Sequence, residues 1–153
     1  MGMWIGGTFT LNTIRSIADR GQYKLSIINP GIHKQGVIDS VLSLSPYFDQ
    51  TIIGSYGPFL KDILDDGKIK GIQWGNYNIK CIFSAETVSE EFRDHVIRTT
   101  KMKNPYTDTL NHFGTVDLGT MSYETPLAIL IRRLSMKNKK LHKDLFGDLR
   151  HVP

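Results

Sequence analysis

The stretch TIIGSYGPFLKDIL, Thr51 to Leu64, decides how this chain is read. Thr51-Ile52-Ile53 is an apolar, β-branched run closed by Gly54, which predicts a strand. Tyr56, Phe59, Leu60, Ile63 and Leu64 follow at once, spaced to line one face of a helix. Gly67 is expected to end that helix, since glycine takes the left-handed conformation a helix stop wants. A buried strand running straight into an amphipathic helix is half of a strand–helix–strand unit. The same alternation should therefore recur on both sides.

It does. Upstream, Leu11, Ile14, Ile17 and Ala18 sit at helical spacing before Gly21, and Tyr23 to Ile28 reads as a strand closed by Asn29-Pro30-Gly31. Ile38, Val41 and Leu42 restore the helical period until Pro46 breaks it. Downstream, Ile79 to Phe83 reads as a strand. Thr87 and Glu90 have the spacing of a capping box for a helix carrying Val88, Phe92, His95, Val96 and Thr99. Thr109 to Phe113 is a further strand, ended by Gly114. Pro126 opens a helix to Met136, with Leu127, Leu130, Ile131 and Leu134 expected inward, and a polar helix spans Lys139 to Phe146. The expected fold is α/β: one domain over residues 1–153, with a mostly parallel sheet of four strands and helices on both faces.

Composition narrows the function. The chain has 153 residues, 40% hydrophobic and 22% charged, which excludes a disordered tail, a collagen-like repeat and a disulfide scaffold. Cys81 is the single cysteine, so no internal disulfide is possible, and it reads as an inert core residue. No apolar run approaches the ~20 residues of a membrane span. Met3-Trp4-Ile5 is too short for a signal-peptide core, so a cytoplasmic setting without membrane contact is expected. The net charge of +4 comes largely from Arg132 to Arg150. Its one aromatic, Phe146, is not interleaved with the basic residues, so the stretch reads as a solvated helical face and no nucleic-acid partner is expected.

In open α/β sheets, ligands collect beyond the carboxyl ends of the strands. Here those ends are Asn29-Pro30-Gly31, Gly54-Ser55-Tyr56, Ser84-Ala85-Glu86 and Phe113 to Asp117. Small residues let backbone amides approach a ligand, an aromatic offers a stacking face, and a carboxylate suits Mg²⁺ bridging to phosphate. A nucleotide site and a set of ordinary strand-to-helix turns are equally good readings of that pattern. The glycine-rich phosphate loop, the dinucleotide fingerprint, the nucleophile elbow and any Cys/His metal spacing are all absent from the sequence. Asp65-Asp66 reads as a solvated turn, His95 as packed, and Trp4 and Trp74 as core anchors.

At these strand ends the chain resembles the adenylate-forming (AMP-binding) enzymes, specifically the phenylacetate–CoA ligase-like group. Asp108 to Asp117 (DTLNHFGTVD) is similar to that family's strand and Tyr-Gly-x-Ser/Thr-Glu motif. Ser84-Ala85-Glu86 is similar to its Gly-Ala-Glu turn, with Ser89-Glu90-Glu91 as the acidic helix start. Trp4 to Thr10 and Pro30 to Ile63 resemble its acyl-pocket run. The resemblance implies a ligase that joins a carboxylic acid to ATP as an acyl-adenylate and passes the acyl group to coenzyme A. It implies ATP or AMP, Mg²⁺ and coenzyme A as cofactors, with a small carboxylic acid as substrate. Nucleotide binding then falls to Ser84, Ala85, Glu86, Phe113, Gly114 and Thr115, with Phe113 stacked on adenine. Asp117 becomes the Mg²⁺ ligand, and Trp4, Gly6, Gly7, Ser55 and Tyr56 become acyl-pocket candidates.

Three positions depart from the pattern: Phe113 replaces Tyr, Val116 replaces a hydroxyl residue, and Asp117 replaces Glu. The family's phosphate loop and its lysine-bearing domain have no counterpart in these residues. The resemblance thus implies the middle part of a larger AMP-binding domain, inactive in isolation. The sequence is compatible with a homo-oligomer but does not read out the oligomeric state. The alternative from another class is a non-catalytic binding or regulatory module that keeps the fold.

Overall fold

The computed structural model describes residues 5–147. The fold is α/β. Helix α1 (Ile5–Asp19) ends where expected, with Gly21 at φ +71° and its N–H bonded to the Ala18 carbonyl. The strand expected at Tyr23–Ile28 does not form. Those residues make no backbone hydrogen bond among the described residues, and Tyr23 and Ile28 are exposed. Strand propensity needs a neighbour to pair with, and none of the described strands lies alongside.

Helix α2 (Lys34–Leu44) is capped by His33, whose Nδ1 accepts the Gly36 N–H at 3.0 Å, and runs into a 3₁₀ turn at Ser45–Tyr47. Strand β1 (Thr51–Ser55) passes through Gly54 rather than stopping there, and α3 (Gly57–Ile69) carries Pro58 in its first turn. Gly67 does not end α3. It lies buried inside the helix, where a Cβ would come within 2.1 Å of the Trp74 ring. Glycine is there for close packing, and Trp74 anchors in return through Nε1–H to the Leu64 carbonyl at 2.9 Å.

Strand β2 (Ile79–Phe83) leads to α4 (Glu90–Thr100). The helix cap is Ser89, whose hydroxyl accepts the Phe92 N–H, and not the Thr87/Glu90 box expected. Glu90 is drawn instead into a buried ion network. Strand β3 (Thr109–Thr115) and β4 (Gly119–Tyr123) form a hairpin, with β4 unforeseen. Helices α5 (Pro126–Lys137) and α6 (Lys139–Phe146) follow.

Strand order is β1-β2-β3-β4, with β1–β2–β3 parallel and β4 antiparallel. The parallel part of the sheet grows in one direction from β1 to β3, and with the right-handed crossovers general to such units α3 and α4 fall side by side on one face, where they pack together. The core forms beneath them. Ile53, Ile79, Cys81 and Phe83 meet Ile38 and Val41 of α2, Leu60, Ile63 and Leu64 of α3, and Val96 of α4. Burial pushes the Cys81 thiol up to about 12, consistent with an inert role.

Helix α5 overturns its expected inward face. Leu127, Leu130, Ile131 and Leu134 are exposed, while Ile129 and Ser135 are buried. The adjacent residues Arg132 and Arg133 bind carboxylates of α4 and of the segment after β4, and that ionic attachment sets the rotation of the helix. Apolar spacing alone could not reveal it.

Candidate functional site

The carboxyl edge of the sheet is assembled by backbone contacts between neighbouring strand ends. The Ser84 N–H donates to the Ser55 carbonyl at 3.1 Å, tying the end of β2 to the end of β1. The His112 Nδ1 lies 3.3 Å from the Phe83 carbonyl, bringing in β3. Beyond Asn111, β3 leaves β2 and continues into the hairpin. The expected ends of β1 and β2 are thus adjacent, and β3 joins them at Asn111 and His112, with Phe113–Asp117 extending beyond. The fourth expected end, Asn29-Pro30-Gly31, ends no strand.

Each end presents different chemistry. At β1, Tyr56 caps α3 and stacks on Phe59 with centroids 5.9 Å apart, and the Ser55 hydroxyl bonds the Tyr56 carbonyl. At β2, Ala85 has φ +71°, a conformation that costs a non-glycine residue roughly 1–2 kcal/mol. This kink sends the chain out of the strand. Ser84 is left half-buried, Glu86 is exposed, and neither the Glu86 nor the Asp117 carboxylate has a protein partner among the described residues.

The hairpin supplies the rest. The β3–β4 register shifts between Phe113 and Gly114, and a Cβ on Gly114 would sit 2.3 Å from the Gly119 carbonyl oxygen. Only glycine permits that approach, so the bulge belongs to the hairpin's construction. Phe113 stands 62% exposed, a free ring rather than a core residue. Thr115 closes the turn by accepting the Leu118 N–H on its hydroxyl at 3.2 Å, and Val116 and Asp117 occupy the exposed tip. The Phe9 ring of α1 reaches the same tip, 3.7 Å from where a Gly119 Cβ would stand. That contact brings the helix bearing Gly6 and Gly7 to the hairpin. Trp4 lies outside the described residues.

Among the described residues no three His, Cys, Asp or Glu side chains converge on a metal-sized space. Asp117 stands exposed at the hairpin tip and belongs to no such group. Asp65 and Asp66 do not form the expected turn. They lie within α3, bound to Lys61 at 2.5 Å and to Lys34 at 2.7 Å, and the Lys61 ammonium holds the Asp65 carboxyl below its ordinary value. His95 packs against Phe92 with Nε2 3.4 Å from Asp65.

The sequence reading missed what braces this edge. Arg93 is fully buried and binds Glu90, the Thr109 hydroxyl and Glu124 (2.7 Å), with its guanidinium 5.6 Å from the Phe83 ring centre. Glu124 also accepts the Asn111 N–H at 2.8 Å and pairs with Arg132. Arg133 links Glu90 to Asp94, and these carboxylates raise its pKa even though desolvation opposes them. Three guanidiniums and three carboxylates therefore lock the hairpin's base to α4 and α5. The adjacent Arg132-Arg133 pair was the available signal, but it reads equally as part of a solvated basic face.

A groove of about 320 Å³ lined by Asn104, Tyr106, Thr107, Pro126, Leu127 and Leu130 lies at the opposite, amino edge of the sheet. No helix among the described residues is long and apolar enough to cross a membrane. No family model matches the chain, and no curated protein matches it in sequence.

Proposed function

We propose that this chain is the nucleotide- and acyl-binding core of an ATP-dependent carboxylic acid–CoA ligase. The observation that carries the reading is the junction of the Ser55 and Ser84 strand ends with Asn111-His112, from which the Phe113–Asp117 hairpin extends. These are the segments whose motifs resemble the adenylate-forming enzymes.

In this reading the free Phe113 ring stacks on adenine, and Ser84, Ala85 and Glu86 border the base at the end of β2. Gly114 lets the hairpin approach closely, and the Thr115 hydroxyl lies one residue from the turn that holds Asp117. Magnesium on Asp117 would neutralise phosphate charge. Ser55 and Tyr56, with Gly6 and Gly7 on α1, would flank the acid. The chemistry is attack of a carboxylate oxygen on the α-phosphorus with pyrophosphate leaving, then attack of the coenzyme A thiolate on the acyl carbon with AMP leaving. A cytoplasmic setting, in which the Cys81 thiol stays reduced, belongs to the same proposal.

The expected behaviour of the chain by itself is binding without turnover. Transfer of a phosphoryl group needs cationic stabilisation, and the lysine and phosphate loop that supply it in the resemblance have no counterpart in this sequence. Val116, exposed at the turn where the resemblance has a hydroxyl, favours a second reading: a binding module that has lost the chemistry.

Calorimetric titration with a non-hydrolysable acyl-adenylate analogue tests the proposal. Saturable binding is expected, and Phe113→Ala should weaken it about tenfold or more, as loss of one stacking contact of roughly 1–3 kcal/mol requires. A folded chain that shows no saturable binding would overturn it. Val116→Ser should tighten binding if the hydroxyl contact is what is missing, and no change favours the module reading.

A further inference from the structure

The sheet has an open side at β1. Thr51 donates to the Asn78 carbonyl at 2.9 Å, and the Ser55 carbonyl accepts the Ser84 N–H at 3.1 Å, so Thr51, Ile53 and Ser55 direct their backbone groups at β2. By the alternation of a parallel ladder, Ile52 and Gly54 turn their N–H and C=O groups the other way. None of those groups has a partner among the described residues. Ile52 is 49% exposed, and no atom lies within 4 Å of where a Gly54 side chain would stand. An edge of this kind is a ready template for another strand.

The chain also carries a strand without a sheet. Tyr23-Lys24-Leu25-Ser26-Ile27-Ile28 has the composition of a strand, lies outside any helix or strand, and makes no backbone hydrogen bonds among the described residues. Its path is set at the far end: the Gly31 N–H bonds Asn29 Oδ1, and His33 caps α2. In its own chain the segment makes no bond to β1. Exposed apolar side chains on unpaired backbone and an unpaired edge strand are complementary needs in one molecule.

We propose that two copies of this chain form a closed dimer in which Tyr23–Ile28 of each adds as a strand to the outer edge of the other's β1. The exchange is reciprocal, so a two-fold axis pairs both β1 edges with both free segments at once. Backbone groups of Ile52 and Gly54 bond the incoming strand, and Ile52 gains apolar cover from Leu25 or Ile27.

Equilibrium sedimentation of the full chain should show mass rising with concentration to twice that of the monomer and no further. Leu25→Pro, placed in unbonded coil, removes a donor and should raise the dimer dissociation constant by about tenfold or more. At concentrations where both chains are monomeric, far-UV circular dichroism and thermal unfolding should match those of the parent chain. Leu25→Cys and Ile52→Cys made in separate chains, then mixed and oxidised, should crosslink to each other, since the two side chains share a face of the proposed strand pair and buried Cys81 stays out of reach. Three results would overturn the proposal: a chain that stays monomeric at every concentration, a dimer indifferent to Leu25→Pro with no mixed crosslink, or growth beyond the dimer. Crosslinking within single dilute chains that carry both cysteines would also overturn it, by showing that the segment pairs with its own β1.

Discussion

Ala85 and Gly67 occupy opposite situations that the sequence could not distinguish. Ala85 holds a left-handed conformation glycine would hold without cost, whereas Gly67 sits in ordinary helix but has no room for a side chain. Ala85→Gly should be neutral or stabilising by up to about 1 kcal/mol, read from the urea midpoint, since relief of strain competes with the gain in unfolded-state entropy. Gly67→Ala should destabilise by about 1–3 kcal/mol, because the new methyl meets the Trp74 ring, itself buried and bonded to Leu64. A mild effect at Gly67 would mean that Trp74 can shift. The period of Leu60, Ile63 and Leu64 was legible because helical burial repeats locally. The reason for Gly67 was not, because Trp74 arrives from the next segment.

At the scale of elements, the hairpin is the part that depends most on buried charge. Its base is held by Glu124 to Arg93 and Arg132, and Arg93 is fully buried. Arg93→Met should cost about 3–5 kcal/mol, because it leaves Glu90 and Glu124 with less compensation in a dry site. A loss below about 1 kcal/mol would show that the network rearranges around Arg132 and Arg133. Gly114→Ala should disrupt the hairpin through the Gly119 carbonyl and, on the proposed reading, abolish adenylate-analogue binding even if the remaining fold survives. Strands β1 and β2 were readable from their apolar runs, because Ile53, Ile79, Cys81 and Phe83 pack one face into the core, and β3 from the run Thr109 to Phe113. Strand β4, GTMSY, is mostly exposed and shows no alternation, so nothing in its sequence marks it apart from the turn that precedes it.

Across the whole molecule, charge sets how stability should respond to acid. Burial pushes the Asp108 carboxyl up, but Lys80 at 2.9 Å and the Asn104 and Lys103 N–H groups outweigh it and hold its pKa below the ordinary value. Near the ordinary carboxylate range, about pH 4, the unfolded chain therefore binds more protons than the folded one. Stability from this group is complete above that range and is lost as pH falls through the depressed folded pKa. Asp108→Asn should lower stability at neutral pH and flatten the acid limb of a stability–pH curve, and an unchanged limb would assign acid sensitivity elsewhere. The sequence by itself determined the α/β class, the three parallel strands and the helices α1 to α6, because periodic burial and local stop signals are properties of neighbouring residues. Only the tertiary structure decided that Tyr23–Ile28 stays unpaired, that α5 turns its leucines outward, and that Arg93 is buried at the base of an unforeseen hairpin. Each of those depends on which partner lies across space, and a strand, an apolar stripe or a buried charge takes its state from that partner rather than from its own residues.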